Sequence, residues 1–189
     1  QEKRAAFINQ LKALATQDDV ELWFSDETGI EGDPRPRRTW VKKGSRPRVP
    51  YLGDHIRESI VGAVQPQTGQ FFALVVPHSD REVFQVFLIE FANYTKDSTK
   101  KVHLVLDNAS WHKGATINWH HITPVYLPAY SPDYNPIEVL WRCIKEKFFM
   151  NWFAKTPDEL HERICEALRQ MIQQPDEIKS IASMSHLVS

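Results

Sequence analysis

The chain has 189 residues, of which 42% are hydrophobic and 25% are charged, and its formal net charge at pH 7 is −1. That composition, with 6 Trp and 10 Phe, excludes intrinsic disorder and predicts one globular domain. The balance of 23 basic and 24 acidic residues argues against a uniformly basic nucleic-acid binder, although it leaves room for a local basic surface. We expect no membrane partner, because no apolar run approaches the roughly 18 residues of a membrane helix and no signal peptide is evident.

Several common chemistries lack their sequence signatures. The two cysteines, Cys143 and Cys165, form no CxxC pair, which argues against a disulfide scaffold and a zinc ribbon. None of the eight histidines stands in an HExxH or HxxxH pattern. No Walker A loop, GxGxxG turn or GxSxG elbow occurs, so nucleotide binding and serine-hydrolase chemistry are not expected.

The first half of the chain predicts a helix followed by strands. Apolar residues at helical spacing predict a helix over residues 2–15. Residues 20–26 predict a strand that ends at Asp26, and Gly29 and Gly32 mark a turn after it. Two β-rich segments with a turn between them then predict a hairpin, at 58–65 and 70–76.

The second half alternates strands with helices. A helix is predicted over 80–93, with Ser79 as its N-cap and Glu82 completing a capping box. The further predicted elements are strands at 102–107 and 123–127 and helices at 136–150 and 157–173, the last capped by Thr156 and ended by Pro175. This order predicts one α/β domain with a mixed sheet, an antiparallel meander first and then parallel strands joined by helices.

Three acidic residues stand at the ends of predicted elements. Asp26 ends the first strand, Asp107 ends the central strand, and Glu138 opens the helix after the last strand. Because the carboxyl ends of adjacent parallel strands share one rim, these side chains can converge there. Converging carboxylates repel one another unless a cation joins them, and Mg²⁺ prefers carboxylates, water and phosphate oxygens. Two such ions about 4 Å apart would suit cleavage or transesterification of a nucleic-acid backbone.

Each acid also has a purely structural interpretation, which stays open at this point. An Asp at a strand end is a common turn former. Asn135, Pro136 and Glu138 fit the N-cap, first and third positions of a helix, where a Glu often caps.

Three segments carry a family resemblance: WFSDETG at 23–29, LVLDNASWHK at 104–113 and LPAYSPDYNPIE at 127–138. Together they resemble the DDE transposases of bacterial insertion sequences related to the mariner group, whose catalytic domain is retroviral-integrase-like. The resemblance covers about residues 20–150 and implies an RNase H-like mixed five-stranded sheet flanked by helices. It also implies that Asp26, Asp107 and Glu138 are the catalytic and metal-binding residues, holding two Mg²⁺ or Mn²⁺ ions.

The resemblance further implies a domain organisation and a reaction. Residues 20–189 would be the catalytic domain, and residues 1–19 a helical connector to a missing N-terminal DNA-binding part. The domain would cut double-stranded DNA at the element ends and join the freed ends to target DNA, within a homodimeric synaptic complex. The setting implied is the cytoplasm of a prokaryotic cell, at the nucleoid.

The segment at residues 35–48, called the basic segment below, contains no acidic residue. Its cations are Arg35, Arg37, Arg38, Lys42, Lys43, Arg46 and Arg48. Because they follow Asp26 closely, we expect them to bind DNA phosphates, and the alternative is a solvated loop. Lys113 is a further candidate for DNA contact, and Arg142, Lys145 and Lys147 are weaker ones.

Two polar residues follow Asp107 and are secondary candidates. Asn108 and His112 could orient a metal-bound water or a phosphate. The alternatives are a local turn hydrogen bond for Asn108 and packing beside Trp111 for His112. Two rival functions also remain: a catalytically silent DNA-binding or self-association remnant, and an RNase H-like nuclease of other specificity.

Overall fold

Five strands form one mixed sheet in the order β3-β2-β1-β4-β5. The structure is a computed structural model and describes residues 2–33, 42–45, 56–113, 116–129 and 131–184. The strands are β1 Val20–Glu31, β2 Arg57–Gln65, β3 Gln70–Val76, β4 Lys101–Leu106 and β5 Thr123–Tyr126. The helices are α1 Glu2–Ala15, α2 Arg81–Thr95, α3 Pro136–Phe149, α4 Pro157–Ile172 and α5 Pro175–Ile181.

The pairing directions agree with the predicted topology. β1 pairs with β2, and β2 with β3, in antiparallel register. β1 pairs with β4, and β4 with β5, in parallel register. The prediction of an antiparallel meander followed by parallel strands is therefore confirmed.

The first strand is longer than the sequence predicted. β1 does not end at Asp26 but runs to Glu31, because it stays paired with β2 as far as Glu31 opposite Arg57. The predicted turn at Gly29 is wrong, since Gly29 lies in the strand opposite Ser59. Pairing with β4 does stop at Phe24 opposite Val105, so Asp26 lies just beyond the point where that neighbour ends.

Each face of the sheet carries its own hydrophobic core. Alternating residues of β1 divide between them, with Leu22 and Phe24 in one core and Trp23 in the other. The first core includes residues of α3 and α4, and α1 joins it through Phe7 and Leu11. The role of residues 1–19 as a connector stays a prediction. Helix α1, which lies in this segment, packs on the domain. The second core is covered by α2.

Helix caps explain where the helices start, with two differences from prediction. The N-cap of α2 is Asp80 rather than Ser79, since the Asp80 side chain accepts a hydrogen bond from the Val83 N–H. Thr156 caps α4 as predicted, accepting from the Glu159 N–H at 3.2 Å. Pro175 does not only follow a helix: it also opens α5, because proline suits the first turn.

Two contacts fix the start of α3 against the sheet. Gly62 in β2 leaves room for the Trp141 ring, since a β-carbon at that position would lie 2.9 Å from the ring's Cη2 atom. The buried Asn135 amide donates to the carbonyl of Ser25 at 3.1 Å. The first turn of α3 is therefore held beside the segment of β1 that carries Asp26.

None of the helices in the described part of the chain is both long and apolar enough to span a membrane.

Candidate active site

The three predicted acids reach one edge of the sheet from three elements. Asp26 lies in β1 two residues beyond its last pairing with β4, and Asp107 follows β4 directly. Because these two strands are parallel neighbours, their carboxyl ends meet at the same edge. Glu138 stands in the first turn of α3, which is docked beside β1.

Two cavities meet at these acids. The helix-side cavity, of about 430 Å³, is lined by Asp26, Glu27, Thr28, Glu138, Trp141, Arg142, Lys145, Glu146 and Met150. The loop-side cavity, of about 350 Å³, is lined by Asp26, Asp107, Asn108, Ala109, Leu127, Pro128, Ala129, Ser131, Asn135 and Glu138. Asp26 and Glu138 line both cavities, so they stand between a space that also holds Arg142 and Lys145 and a space walled mostly by loops.

Asp26 is the acid most affected by its surroundings. Burial raises its pKa, and the negative charges of Glu138 and Glu27 raise it further, to about 8. The charge of Asp107 acts in the same direction. The electrostatics therefore agree with the geometry, since all three predicted acids lie close enough together to interact.

Glu138 occupies the position where a capping interaction was the alternative interpretation. It is the third residue of α3, after the N-cap Asn135, and the Asn135 side chain makes no capping hydrogen bond. In α4, by contrast, Glu159 at the same position does fold back, accepting a hydrogen bond from the Lys155 N–H at 2.7 Å. The Glu138 side chain is exposed and borders both cavities, which favours a role at the site over a capping role.

His112 connects Asp107 to a fourth acid, Glu27. Its Nδ1 atom lies 2.7 Å from Asp107 Oδ1, and its Nε2 atom lies 3.2 Å from Glu27 Oε1. Burial disfavours the charged ring, but the two hydrogen bonds outweigh that cost and raise the pKa of His112 to about 9. The ring packs on Phe84, with the two centroids 4.3 Å apart.

Asp107 is held as a carboxylate by these contacts. The hydrogen bond from His112 lowers its pKa, and the Ala109 N–H, which donates to Oδ1 at 3.0 Å, lowers it further. The charge of Lys113 lowers it as well. Asp26 and Asp107 are thus driven in opposite directions, and Asp107 is the one that is ionised near neutral pH.

The site has carboxylate donors that suit a divalent cation, but they are not arranged as a complete set of ligands. Among the residues that the structure describes, no three acidic, histidine or cysteine side chains are placed so that they could hold a metal ion. The donor chemistry nevertheless fits Mg²⁺ or Mn²⁺, because three carboxylates border one cavity and their repulsion contributes to the raised pKa of Asp26. Asp26, Asp107 and Glu138 are the residues that would hold such a cation, with Asp26 as a carboxylate.

The secondary candidates lie at the site in different ways. Asn108 does not make the local turn bond considered above: its amide donates to the carbonyl of Leu127, which ties the end of β4 to the end of β5. Lys113 is exposed, with its Nζ atom 5.4 Å from the centre of the Tyr126 ring. Its charge lowers the pKa of Asp107, so Lys113 lies near that acid.

The basic segment is described only at Lys42 and Lys43. Both are exposed, in a turn where the Ser45 N–H donates to the Lys42 carbonyl at 2.9 Å. The other predicted cations of the segment, Arg35, Arg37, Arg38, Arg46 and Arg48, lie outside the described residues.

Sequence reasoning overlooked or undervalued three site residues. Glu27 was missed, and the only feature of the sequence that pointed to it was its position beside Asp26. Arg142 and Lys145 were ranked as weak candidates, yet both line the helix-side cavity, four and seven residues after Glu138. Helical periodicity places residues four and seven apart on one face, and that rule could have found them. Lys147 is directed elsewhere and pairs with Glu177 at 2.8 Å.

Comparison with known proteins agrees with this fold. A family model described as DDE superfamily endonuclease matches residues 21–161. A curated relative, "Uncharacterized protein y4pE/y4sA" of Sinorhizobium fredii, is 34% identical over 123 residues, which are 65% of this chain and 90% of that protein. Another, "Insertion element IS630 uncharacterized 39 kDa protein" of Shigella sonnei, is 27% identical over 155 residues, 79% of this chain and 44% of that protein.

Solved structures of Mos1 transposase share the fold at low identity. The pre-cleavage Mos1 transpososome matches with a TM-score of 0.71 and 11% identity, over 99% of this chain and 61% of that chain. The Mos1 mariner paired end complex with Mn matches with a TM-score of 0.69 and 14% identity, over 96% of this chain and 60% of that one. The chain thus spans about three fifths of the Mos1 chains and under half of the Shigella protein.

The five-stranded mixed sheet with its flanking helices is that of an RNase H-like catalytic core, as predicted. The chain belongs to the DDE superfamily endonuclease family, since the family model covers most of its length. It is similar in sequence to an insertion-element protein and shares its fold with a mariner transposase.

Proposed function

We propose that this chain is the catalytic domain of a DNA transposase, which cuts double-stranded DNA at the ends of an insertion sequence and joins the freed ends to target DNA. The single observation that carries the proposal is the gathering of Asp26, Asp107 and Glu138 at one sheet edge, between two cavities, in a chain of the DDE family. These are the three acids that the resemblance assigned to catalysis and metal binding.

Asp26, Asp107 and Glu138 would hold two Mg²⁺ or Mn²⁺ ions. Such ions activate water and stabilise the attacking and leaving oxygens of an in-line displacement at phosphorus. The chain's own contribution is to supply carboxylate oxygens on a fixed frame, with Asp26 releasing its proton as the site is filled. Mos1 structures described as complexes with Mn and with Mg support this choice of cation.

The cations around the acids suit a DNA backbone. Arg142 and Lys145 line the helix-side cavity, and Lys145 donates to the Thr28 hydroxyl at 2.6 Å. Lys113 lies on the other side, near Asp107. A DNA strand crossing from one cavity to the other would therefore meet basic groups on both sides of the scissile phosphate, offsetting its repulsion by the acids.

The proposed partner is double-stranded DNA, held by two copies of the chain in a synaptic complex. Support comes from structures described as a Mos1 Strand Transfer Complex and a paired-end complex with left transposon end. The basic segment at residues 35–48 follows Asp26 closely and would contribute further phosphate contacts. We place this activity at the nucleoid of a prokaryotic cell.

A Mn²⁺ titration tests the metal site. Calorimetry or Mn²⁺ electron paramagnetic resonance should detect binding to the wild-type chain, and Asp107→Asn or Glu138→Gln should weaken it at least tenfold. Asp97→Asn, an exposed acid in the turn after α2, is the matched control and should bind Mn²⁺ as the wild type does. Unchanged binding without Asp107 or Glu138 would refute the site.

A DNA-binding titration tests the basic segment separately. Reversing Lys42, Lys43, Arg46 and Arg48 to Glu should weaken binding of double-stranded DNA and flatten its dependence on salt, because fewer counterions are released. If neither the affinity nor the salt slope changes, the segment does not contact DNA.

The rival function is a catalytically silent DNA-binding or self-association module. The Mn²⁺ titration separates the two, since a silent module would bind DNA without an Asp107-dependent metal site. A relative with other nuclease specificity would bind the metal but would not join ends to a target duplex.

A further inference from the structure

We propose that His112 and Glu27 are positioning residues for the metal site: the imidazole holds one oxygen of Asp107, and Glu27 holds the imidazole. This inference rests on the proposed function, because it concerns how Asp107 is presented to a divalent cation. It adds two residues that act through the acids rather than on DNA.

The imidazole is built into the domain rather than resting on its surface. Its side chain is only 3% exposed, whereas the carboxylate that it contacts is 53% exposed. Phe84 of α2 packs on the ring, and the Tyr126 hydroxyl donates to the His112 carbonyl at 2.8 Å. A buried group thus reaches out to hold an exposed one, so the ring can restrain the direction of the carboxylate.

Glu27 and Asp26 lie on opposite faces of the sheet. Successive side chains of a strand point to opposite faces, so Asp26 faces the side of α3 while Glu27 faces the side of α2. His112 lies on the α2 side, against Phe84, and meets Glu27 there. Asp107, which follows β4, is the acid that His112 contacts from the α2 side.

The contacts of Asp107 with His112 and Ala109 both involve the same carboxylate oxygen. Oδ1 lies 2.7 Å from His112 Nδ1 and accepts from the Ala109 N–H at 3.0 Å. Two donors on one oxygen fix the plane of the carboxylate, so the second oxygen, Oδ2, is the one available to a cation. Outer partners of this kind orient metal-binding carboxylates in many sites, and their loss typically weakens metal affinity.

Glu27 completes the arrangement by fixing the ring itself. Its carboxylate, 20% exposed, lies 3.2 Å from Nε2. Without that contact the ring could rotate away from Asp107, and its buried nitrogen would have lost an acceptor. The effect of Glu27 on the metal site should therefore act through His112, not beside it.

Two substitutions of His112 separate positioning from packing. The amide nitrogen of Asn reaches the place of Nδ1, and that of Gln reaches the place of Nε2. We expect His112→Asn to keep a Mn²⁺ dissociation constant close to that of the wild type, because it retains the donor to Asp107. We expect His112→Gln and His112→Ala to bind Mn²⁺ roughly 10- to 100-fold more weakly.

A double-mutant cycle tests the order of action. Glu27→Ala should weaken Mn²⁺ binding, and Glu27→Ala combined with His112→Ala should be no weaker than His112→Ala alone. Tyr126→Phe is the matched control, since it removes a hydrogen bond to the same residue without touching a carboxylate. It should lower the melting temperature and leave the Mn²⁺ affinity close to wild type, and circular dichroism should show that every variant is folded.

Each result decides between two claims. If Asp107→Asn loses Mn²⁺ but His112→Gln and His112→Ala do not, or if His112→Asn binds as weakly as His112→Gln, positioning by His112 is overturned while the proposed function stands. Additive losses in the cycle, or an equal loss in Tyr126→Phe, overturn it too. If the wild type binds no Mn²⁺, or binds it equally after Asp107→Asn, the proposed function fails and this inference fails with it.

Discussion

Asp26 should cost the metal-free domain stability, and Asp26→Asn should recover it. Burial and the charges of Glu138 and Glu27 raise the pKa of Asp26 to about 8, from an ordinary value of 3.8. Asn has nearly the same shape as the protonated side chain and cannot ionise. The substitution therefore removes the electrostatic cost and keeps the packing.

The sign and size of the effect follow from proton linkage. Between pH 4 and pH 8 the folded protein keeps the Asp26 proton while the unfolded chain has released it, so the free energy of unfolding falls as pH rises. Each pH unit in that window contributes about 1.4 kcal/mol, which makes Asp26→Asn more stable than wild type by up to about 4 kcal/mol at pH 7. Below pH 4 the two proteins should have equal stability.

Urea unfolding followed by tryptophan fluorescence, in EDTA and at intervals from pH 4 to pH 8, measures this difference. The pKa of His112 is raised to about 9, so its stabilising contribution is complete below pH 6.5 and is lost as pH rises through 9. That loss occurs in both proteins and cancels in their difference. The exposed Asp97→Asn variant should follow the wild-type curve throughout.

Mn²⁺ should reduce the difference in stability between the two proteins. Free Mn²⁺ at about 100 times its dissociation constant stabilises the wild type by roughly 2.7 kcal/mol. Asp26→Asn lacks a ligand and should gain much less. Parallel stability curves for wild type and Asp26→Asn between pH 4 and pH 8 would refute the reasoning, because they would mean that the neighbouring acids do not disfavour the charge on Asp26.

Two further predictions concern the frame that carries the site. Gly69 has a φ of 77° and a β-carbon there would lie 1.9 Å from the Pro175 carbonyl oxygen, so Gly69→Ala should lower the free energy of unfolding by about 3 kcal/mol. Gly44→Ala, with a φ of 89° but open space around it, should cost only about 1 kcal/mol; equal losses in urea would contradict the clash. Thr156→Ala removes the cap of α4 and should cost about 1 kcal/mol by thermal or urea unfolding, whereas Thr156→Ser should not.

Local signals in the sequence were enough to predict most of the elements. Strand β4 is almost continuously apolar because it lies inside the sheet, and the stripe on α3 follows from its packing against β1. The error at Gly29 has a physical cause. Glycine is common in turns, but here the pairing of β1 with β2 supplies hydrogen bonds that keep the chain extended.

The acids could be found from the sequence, but the electrostatics of the site could not. Asp26 and Asp107 were both predicted at strand ends, yet their pKa values shift in opposite directions. The difference comes from the burial of Asp26 beside Glu138 and Glu27, and from His112, which holds Asp107 and meets Glu27 from 85 positions away along the chain. Contacts over that separation depend on the strand order and on the face that each side chain takes, which no short motif encodes.

The continuation of β1 and β2 beyond the end of β4 gives the domain a projecting ribbon of strands, in which β3 still pairs with β2 as far as Val76 opposite Ser59. From Asp26 opposite Gly62 to Glu31 opposite Arg57 there are five residue steps, so the ribbon extends about 17 Å beyond the first acid. The basic segment is connected at the far end of this ribbon, at a distance that matches the rise of about five base pairs. Ribbon length is thus a spacer: lengthening both strands by two residues would move the root of the basic segment by about 7 Å and leave the carboxylates in place.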